Sequence, residues 1–495
     1  MLTVLLLLLP AVAALLLLLV KGRAARFLAL GAAFLEFLLA AYAFGSVYAG
    51  QAFGGGGVGK FTFNTPWVAS AGINFHVGMD GLSLLLVLLT TFLVPLILLA
   101  AFRHEYRNES AFYALVLFMQ TGLIGVFVSL DAFLFYFFWE VALIPIYFLA
   151  GVWGGERRAA VTFKFFLYTI IGSLFMLAGF VYLYLQTGPG AGGAAHSSEL
   201  AAFTALKLSA SEQSWLFWLI FAAFAVKMPI FPFHNWQPDT YTESPAPATM
   251  LLSGIMRKMG IYGCLRWLLP VVPLGVSGPF GGRLVLVLAV IGIVYGAIIA
   301  IRQQDFKRLI AFSSLSHVGL MAAGVFALNL NGLQGAAIQM LAHGVNVVGM
   351  FFIADAIERR TGTRHIPDLG GLTRRTPLLS VCFLVLLLST VALPLTGGFV
   401  GEFLLLAGLF EYNAWLGAVA GLTIIFSAVY LLRLYQRVML GPDSAHSATI
   451  TDLTGKELAV LVPLIVLVFW IGLFPGTFLQ LSEPAMQSIL GLVKR

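Results

Sequence analysis

The sequence predicts an all-α integral membrane protein of about fourteen transmembrane helices, built on two inverted five-helix repeats that each contain one broken helix. Three observations lead there. Hydrophobic residues make up 60% of the 495 residues and charged residues only 10%, with a mean hydropathy of +0.97. A soluble chain of this size needs far more charge to cover its surface. The apolar residues fall in runs about twenty long, the length a bilayer core demands of a helix. Two of these runs carry a proline break beside a single charge: Ala225-Val-Lys227-Met-Pro229-Ile-Phe-Pro232 and Leu393-Pro394-Leu-Thr-Gly397-Gly398-Phe-Val-Gly401-Glu402. A proline removes a helix hydrogen bond, which here would free the carbonyls of Ala225, Met228 and Thr390.

The runs lie near 2–20, 27–49, 80–102, 111–129, 132–152, 162–186, 214–235, 246–268, 284–301, 307–327, 333–357, 378–410, 415–439 and 457–475. The first has no basic residues before it and is followed by Lys21, Arg23 and Arg26, so it reads as a retained helix with its N-terminus outside, not as a signal peptide. From that start, the inner loops carry Arg103/Arg107, Arg157/Arg158, Arg302/Lys307/Arg308, Arg359/Arg360/Arg364/Arg374/Arg375 and Lys456. The outer segments hold little beyond Lys60, Lys207, Arg283 and Lys494/Arg495. This positive-inside pattern accounts for the net charge of +7 without a nucleic acid partner and places both termini on the outer, periplasmic side. One inner loop, 236–246, breaks the pattern with Asp239, Glu243 and no base.

The outer segments 50–79 and 187–213 are rich in Gly, Ala and Ser, with a flexible loop at Gly54 to Gly57, and are too short for separate domains. Spans four to eight and nine to thirteen form the two repeats, with spans seven and twelve broken. Because five is odd, the second copy inserts upside-down relative to the first. The chain therefore divides into 1–110 (three N-terminal helices), 111–270 (first repeat), 271–440 (second repeat) and 441–495 (last span and C-terminal tail).

Cys264 and Cys382 sit inside apolar runs, with no CxxC or Cys/His cluster, and no GxGxxG or P-loop occurs. No cofactor or metal is expected in this chain, and redox groups would belong to partners.

The chemistry lies in the intramembrane polar residues. Glu140 is mid-span, Lys227 precedes the first break with His234 beyond it, and Lys258 follows Arg257 in span eight. His317 shares a helical face with Ser313, and Gln339, His343 and Asn346 recur at i, i+4 and i+7 as one polar stripe. Glu402 closes the series. An ion in hydrocarbon needs a partner or water, so this set marks a path for protons or small cations. If Glu140 approaches Lys227, the lysine holds its proton; if it swings away, the lysine releases it. Lys258, His317 and His343 can relay that proton to Glu402.

Each residue also has a structural reading. A lone histidine such as His317 or His343 is more often a helix–helix hydrogen-bond donor. Lys164 and Arg257 read as snorkelling side chains or, for Arg257, a contact to a partner's carboxylate. Asp80 and Asp131 head apolar runs as helix caps, and Glu36 is mid-span without an evident partner.

At these residues the sequence resembles a known family. Phe118-Met-Gln120-Thr-Gly, Phe138-Trp-Glu140-Val-Ala-Leu-Ile-Pro145, Trp153-Gly-Gly-Glu156-Arg157-Arg158, Phe224-Ala-Val-Lys227-Met-Pro-Ile-Phe-Pro-Phe-His234-Asn-Trp-Gln-Pro-Asp239, Ser253-Gly-Ile-Met-Arg257-Lys258 and Ala311-Phe-Ser-Ser-Leu-Ser-His317 are similar to the proton-translocating antiporter-like subunits of respiratory complex I. Glu402, where the other large subunits usually carry lysine, and the absence of a long lateral helix resemble the subunit M branch. The resemblance implies Glu140 and Lys227 as a coupled pair, Lys258, His317 and His343 as relay, and Glu402 as the terminal proton-carrying residue, with His234 at a further family position. It also implies a non-redox subunit of NADH:quinone oxidoreductase in the inner bacterial membrane. Its partners would be other antiporter-like subunits, with flavin, iron–sulfur clusters and quinone elsewhere in the complex. The competing readings are a large subunit of a multisubunit cation/proton antiporter, a hydrogenase-linked pump, and a subunit whose polar residues only hold the membrane arm together.

Overall fold

The computed structural model describes residues 1–48, 61–188, 195–447 and 450–494; Gly54 to Gly57, Lys60 and Arg495 lie outside the described residues. Helices α1 (Leu2–Leu17) and α2 (Arg23–Tyr48) pack on each other and on α3 (Gly81–Ala101) and α4 (Glu109–Val128). Next come α5 (Ala132–Val141) and α6 (Leu143–Trp153), one apolar rod at whose junction Pro145 cannot donate to Val141. They are followed by α7 (Arg158–Gln186), the short α8 (Leu200–Thr204) and α9 (Ala210–Lys227). Beyond the first break lie α10 (Gln237–Glu243), α11 (Ala246–Leu251), α12 (Lys258–Gly263) and α13 (Pro273–Ser277), with π-helical turns at Leu252–Met256 and Cys264–Leu268 on either side of α12.

The second half runs through α14 (Gly282–Arg302), α15 (Phe306–Phe326), α16 (Leu330–Thr361), α17 (Pro377–Thr390), α18 (Gly397–Tyr412), α19 (Ala414–Tyr435) and α20 (Gly455–Leu473) to α21 (Gly476–Val493). Among the described residues, ten helical segments are long and apolar enough to cross a membrane. The protein is thus mostly helical and multi-pass. The expected runs at 2–20, 214–235, 246–268 and 378–410 are shorter or interrupted: α1 has 16 residues, α9 stops at Lys227, π turns interrupt the eighth run, and the twelfth divides into α17 and α18.

The core lies around α15 and α16, which are buried along their full apolar windows. That position follows from their side chains. Ser313, Ser314, Ser316 and His317 on α15, with Gln339, His343 and Asn346 on α16, cannot face lipid without losing hydrogen bonds. The outer helices turn large apolar side chains such as Phe27, Leu38, Ile171 and Ile425 outward instead. Close approach of α16 and α18 depends on glycine: a Cβ at Gly408 would stand 2.6 Å from the Gly332 nitrogen.

Two elements depart from the expectation. The structure is not wholly α, because β1 (Phe63–Val68) and β2 (Ile73–Val77) form an antiparallel hairpin that pairs Phe63 with Val77 and Thr65 with Phe75. Aromatic and β-branched residues favour such a ribbon, and Gly72 turns it at φ 63°. The C-terminal tail is also helical, and α21 packs on α3 and α16.

The hairpin is tied down by Glu199, which accepts from Asn74 at 2.8 Å and Asn64 at 3.3 Å and pairs with His76. Burial alone would raise this carboxyl; the donors, His76 first, outweigh it and hold Glu199 below the usual carboxylate range. A depressed value stabilises the fold at neutral pH, and that stability fades as acid titrates the group. Glu199→Gln should therefore speed amide exchange across 63–77 by an amount worth about 1 kcal/mol at neutral pH, and the difference from the parent should shrink on acidification. Unchanged exchange would show that the hairpin is held by other contacts.

Candidate functional site

The two helix breaks build the site differently. In the first, α9 ends at Lys227, and the Ala225 carbonyl is not freed: it accepts from the Ile230 N–H at 3.0 Å, while the Val226 carbonyl takes the Trp236 Nε1–H at 3.0 Å. A wider turn closes over the proline and keeps the Ala225 carbonyl satisfied. In the second, the six residues between α17 and α18 hold two non-glycine residues in the left-handed region, Ala392 at φ 64° and Leu395 at φ 76°. Such strain persists only where the surroundings impose it, and it is found often at functional positions.

Lys227 is buried at 2% exposure, with its ammonium 5.2 Å from the centre of the Trp139 ring. Glu140, one residue on from that tryptophan, is partly buried. The two are not joined in an ion pair in this structure, and neither Lys227 Nζ nor Glu140 Oε1 has a hydrogen-bond partner among the described residues. The cation rests on the π face of Trp139, with the Glu140 carboxylate nearby and not engaged with it.

Across α12, α15, α16 and α18 the remaining groups come together. Lys258 Nζ donates to the Ser253 carbonyl at 2.6 Å and lies 3.0 Å from His343 Nδ1. His343 Nε2 is 2.8 Å from Ser314 Oγ. His317 Nδ1 is 2.8 Å from Glu402 Oε1, close enough for an ion pair but out of line for a hydrogen bond, and Gln339 Nε2 donates to the same oxygen at 3.4 Å. The His317 and His343 rings are 6.0 Å apart. Between them is a cavity of about 20 Å³ lined by Ser313, Ser314, His317, Gln339, His343 and Asn346, enough for about one water. Gln339 Oε1, Asn346 Oδ1 and Glu402 Oε2, all without partners among the described residues, belong to groups at or beside that space. A water-sized pocket with polar and titratable side chains in its lining, inside an apolar bundle, is suited to passing protons by short hops.

Lys258, His317, His343 and Glu402 are therefore assembled, while Glu140 and Lys227 form a separate cluster. His234 joins neither. It stacks on Phe231 and meets Tyr295 edge-on, with ring centres 5.6 and 4.9 Å away. Asp80 and Asp131 cap their helices as expected, accepting from Ser83 N at 2.9 Å and from Phe133 N at 3.0 Å. Lys164 reaches Asp239 at 3.2 Å. Arg257 does not snorkel; it is buried against Ser314. Glu36 has a partner, Gln120, which donates to it at 2.7 Å.

Sequence reasoning missed Ser314 as the link to His343, and Tyr430, whose hydroxyl donates to Ser313 at 3.0 Å. It also missed an ionic network in which Asp355 meets Arg103 at 3.3 Å and His104 at 3.1 Å, and Glu457 meets Arg103 at 3.4 Å and Arg360 at 2.7 Å. The signal for Asp355 was present, a carboxylate within the 333–357 run.

Fold and site define a polytopic membrane protein with a buried line of ionisable groups. Residues 129–427 match the family described as NADH:quinone oxidoreductase/Mrp antiporter, and 59–126 match the amino terminus of NADH-ubiquinone oxidoreductase chain 4; the chain belongs to this family. It is similar to NADH-quinone oxidoreductase subunit M of Rickettsia typhi, 37% identical over 87% of this chain and 86% of that protein. It is 36% identical, with the same coverage, to NADH-ubiquinone oxidoreductase chain 4 of Marchantia polymorpha. A chain of respiratory complex I from Thermus thermophilus superposes over 100% of both chains with a TM-score of 0.90 at 34% identity. A chain of the Mrp complex from Dietzia shares the fold, with a TM-score of 0.84 at 21% identity.

The α16–α18 contact offers a direct test of the site's packing. A methyl group on Gly401 would stand 2.1 Å from Gln339 Oε1 and 2.8 Å from its Cβ. Gly401→Ala should displace Gln339 from Glu402 and cost about 2 kcal/mol, seen as a lower midpoint in thermal unfolding of the purified protein. An unchanged midpoint would mean that the two helices do not pack this closely.

Proposed function

We propose that this chain is a non-redox, proton-translocating subunit of the membrane arm of an NADH:quinone oxidoreductase, driven by quinone reduction in partner subunits. The observation that carries the reading is the pair of buried contacts, Lys258 with His343 and His317 with Glu402, whose two histidines line one water-sized cavity between the buried helices α15 and α16. Family membership and relatives named subunit M or chain 4 support the assignment to such a complex. In this reading Glu140 and Lys227 form the switch, Lys258, His343 and His317 the relay, and Glu402 the terminal carrier; His234 is an additional group near the first break. Flavin, iron–sulfur clusters and quinone belong to partner subunits, alongside other antiporter-like subunits.

The same proposal includes a fourteen-span plan in which 111–270 and 271–440 are inverted repeats, flanked by 1–110 and 441–495. The breaks after α9 and α17, at corresponding places in the two halves, support it. It also places the chain in an inner bacterial membrane with both termini outside. The family description names Mrp antiporters too, which favours a cation/proton antiporter subunit as the second reading.

Two experiments bear on this. Lys227→Ala and Glu140→Gln should yield assembled complexes whose proton uptake in liposomes falls by at least about tenfold. Normal pumping by either variant would overturn the mechanism, and failure to assemble would favour a purely structural role. Mass spectrometry of the complex purified in mild detergent should identify flavin- and iron–sulfur-bearing companions. Finding membrane subunits alone would favour the antiporter.

A further inference from the structure

Arg257 brings a positive charge into the core without a carboxylate to meet it. It is 1% exposed, and no described carboxylate lies within ion-pair reach. Its Nη1 donates to Ser314 Oγ at 2.5 Å and its Nη2 to the Ser314 carbonyl at 3.0 Å. The guanidinium lies 5.7 Å from the centre of the Tyr241 ring, and its Nε has no partner among the described residues. Burying a guanidinium is costly, and structural arginines usually meet that cost by pairing with a carboxylate. Here the fork grips one serine instead, and that serine's hydroxyl is the atom facing His343 Nε2 at 2.8 Å.

A guanidinium does not give up its proton, so Arg257 is not a carrier. Its effect on the carriers is fixed in two ways. Ser314 Oγ must always accept from Arg257, which leaves one lone pair and one hydrogen to serve His343. When Lys258 is an ammonium, His343 Nδ1 can only accept, so Nε2 bears the hydrogen and donates to Ser314. When Lys258 passes a proton to Nδ1, one Nζ–H bond breaks and one Nδ1–H bond forms. The Nε2 proton then leaves for the cavity and His317, and the bare Nε2 accepts from the Ser314 hydroxyl. One positive charge has moved from Lys258 toward Glu402, and Ser314 has turned from acceptor to donor without changing place.

In the interval the imidazole carries two protons. The groups around it are Lys258 at the start of α12 and Arg257 just before it, Ser314 and His317 on α15, Tyr241 on α10 near Arg257, and Glu402 on α18 beyond the cavity. A fixed cation on one side and a carboxylate on the other make that doubly protonated state short-lived and give it a direction. Resting on the relay reading above, we infer that Arg257 is a positioning residue: it holds the Ser314 hydroxyl against both forms of His343, and its charge drives the proton onward to Glu402.

The test uses the intact complex in liposomes, with proton pumping measured between about pH 6 and about pH 9. In Arg257→Gln, the fixed positive charge next to His343 is gone, and the acid limb of the pumping profile should move up by about one pH unit. Arg257→Lys keeps the charge and should return that limb to the parent position, at a lower rate because the fork is lost. A parent-like limb in Arg257→Gln would overturn the inference, as would a limb in Arg257→Lys displaced as far as in Arg257→Gln. If Arg257→Gln does not accumulate in assembled complexes, Ser314→Ala carries the test: pumping should fall about tenfold with the acid limb in place, and a parent rate would overturn the positioning role. His343→Gln separates the two levels. Normal pumping there would remove the relay itself, whereas impaired pumping there with a parent profile in Arg257→Gln would remove only the role of Arg257.

Discussion

A charge inside hydrocarbon must be paired, hydrogen-bonded or wetted, and that constraint organises this molecule from the centre outward. Lys258 meets His343, and His317 meets Glu402, only if α12, α15, α16 and α18 stand close enough for contacts near 3 Å. Small residues make that spacing possible: Gly401 lies against Gln339, and Gly408 against Gly332. The helices that carry the polar groups must then be wrapped, so α15 and α16 are enclosed while α1, α2, α7 and α19 meet lipid. The chemistry and the helix order are thus consequences of one requirement.

The same rule governs the face that carries the 236–246 segment. The acidic 236–246 segment, expected as a loop and folded as α10, is neutralised by bases at the starts of α7 and α15. Lys164 and Arg308 reach Asp239 at 3.2 and 3.4 Å, and Arg157 reaches Glu243 at 3.4 Å. Exposed pairs of this kind add little stability. The more deeply placed Arg103, Asp355 and Glu457 join α16 to α20 and to the turn after α3, a tie that locates the end of the polar helix.

What the sequence disclosed follows from the range of the interactions involved. The stripe Gln339, His343 and Asn346 and the face shared by Ser313 and His317 depend only on helical periodicity, and all five line the cavity. The caps at Asp80 and Asp131 are equally local. Contacts set by tertiary packing were not legible. No local pattern shows that Gln120 meets Glu36 or that Tyr430 reaches Ser313. Arg257 reads as a snorkelling side chain from its own run, and only the approach of α15 makes Ser314 its partner. The hairpin at Phe63–Val77 was hidden by glycine-rich surroundings, and α21 by its polar residues, which suit a helix packed on its neighbours rather than one crossing lipid.

The central claim is that the buried polar line carries protons, and Glu402 tests it most directly because it ends that line. The measurement is the number of protons pumped per electron by a Glu402→Gln complex reconstituted in liposomes, with quinone reduction followed in the same vesicles. The account predicts an assembled complex that still reduces quinone but moves fewer protons per electron than the parent. An unchanged ratio would contradict it.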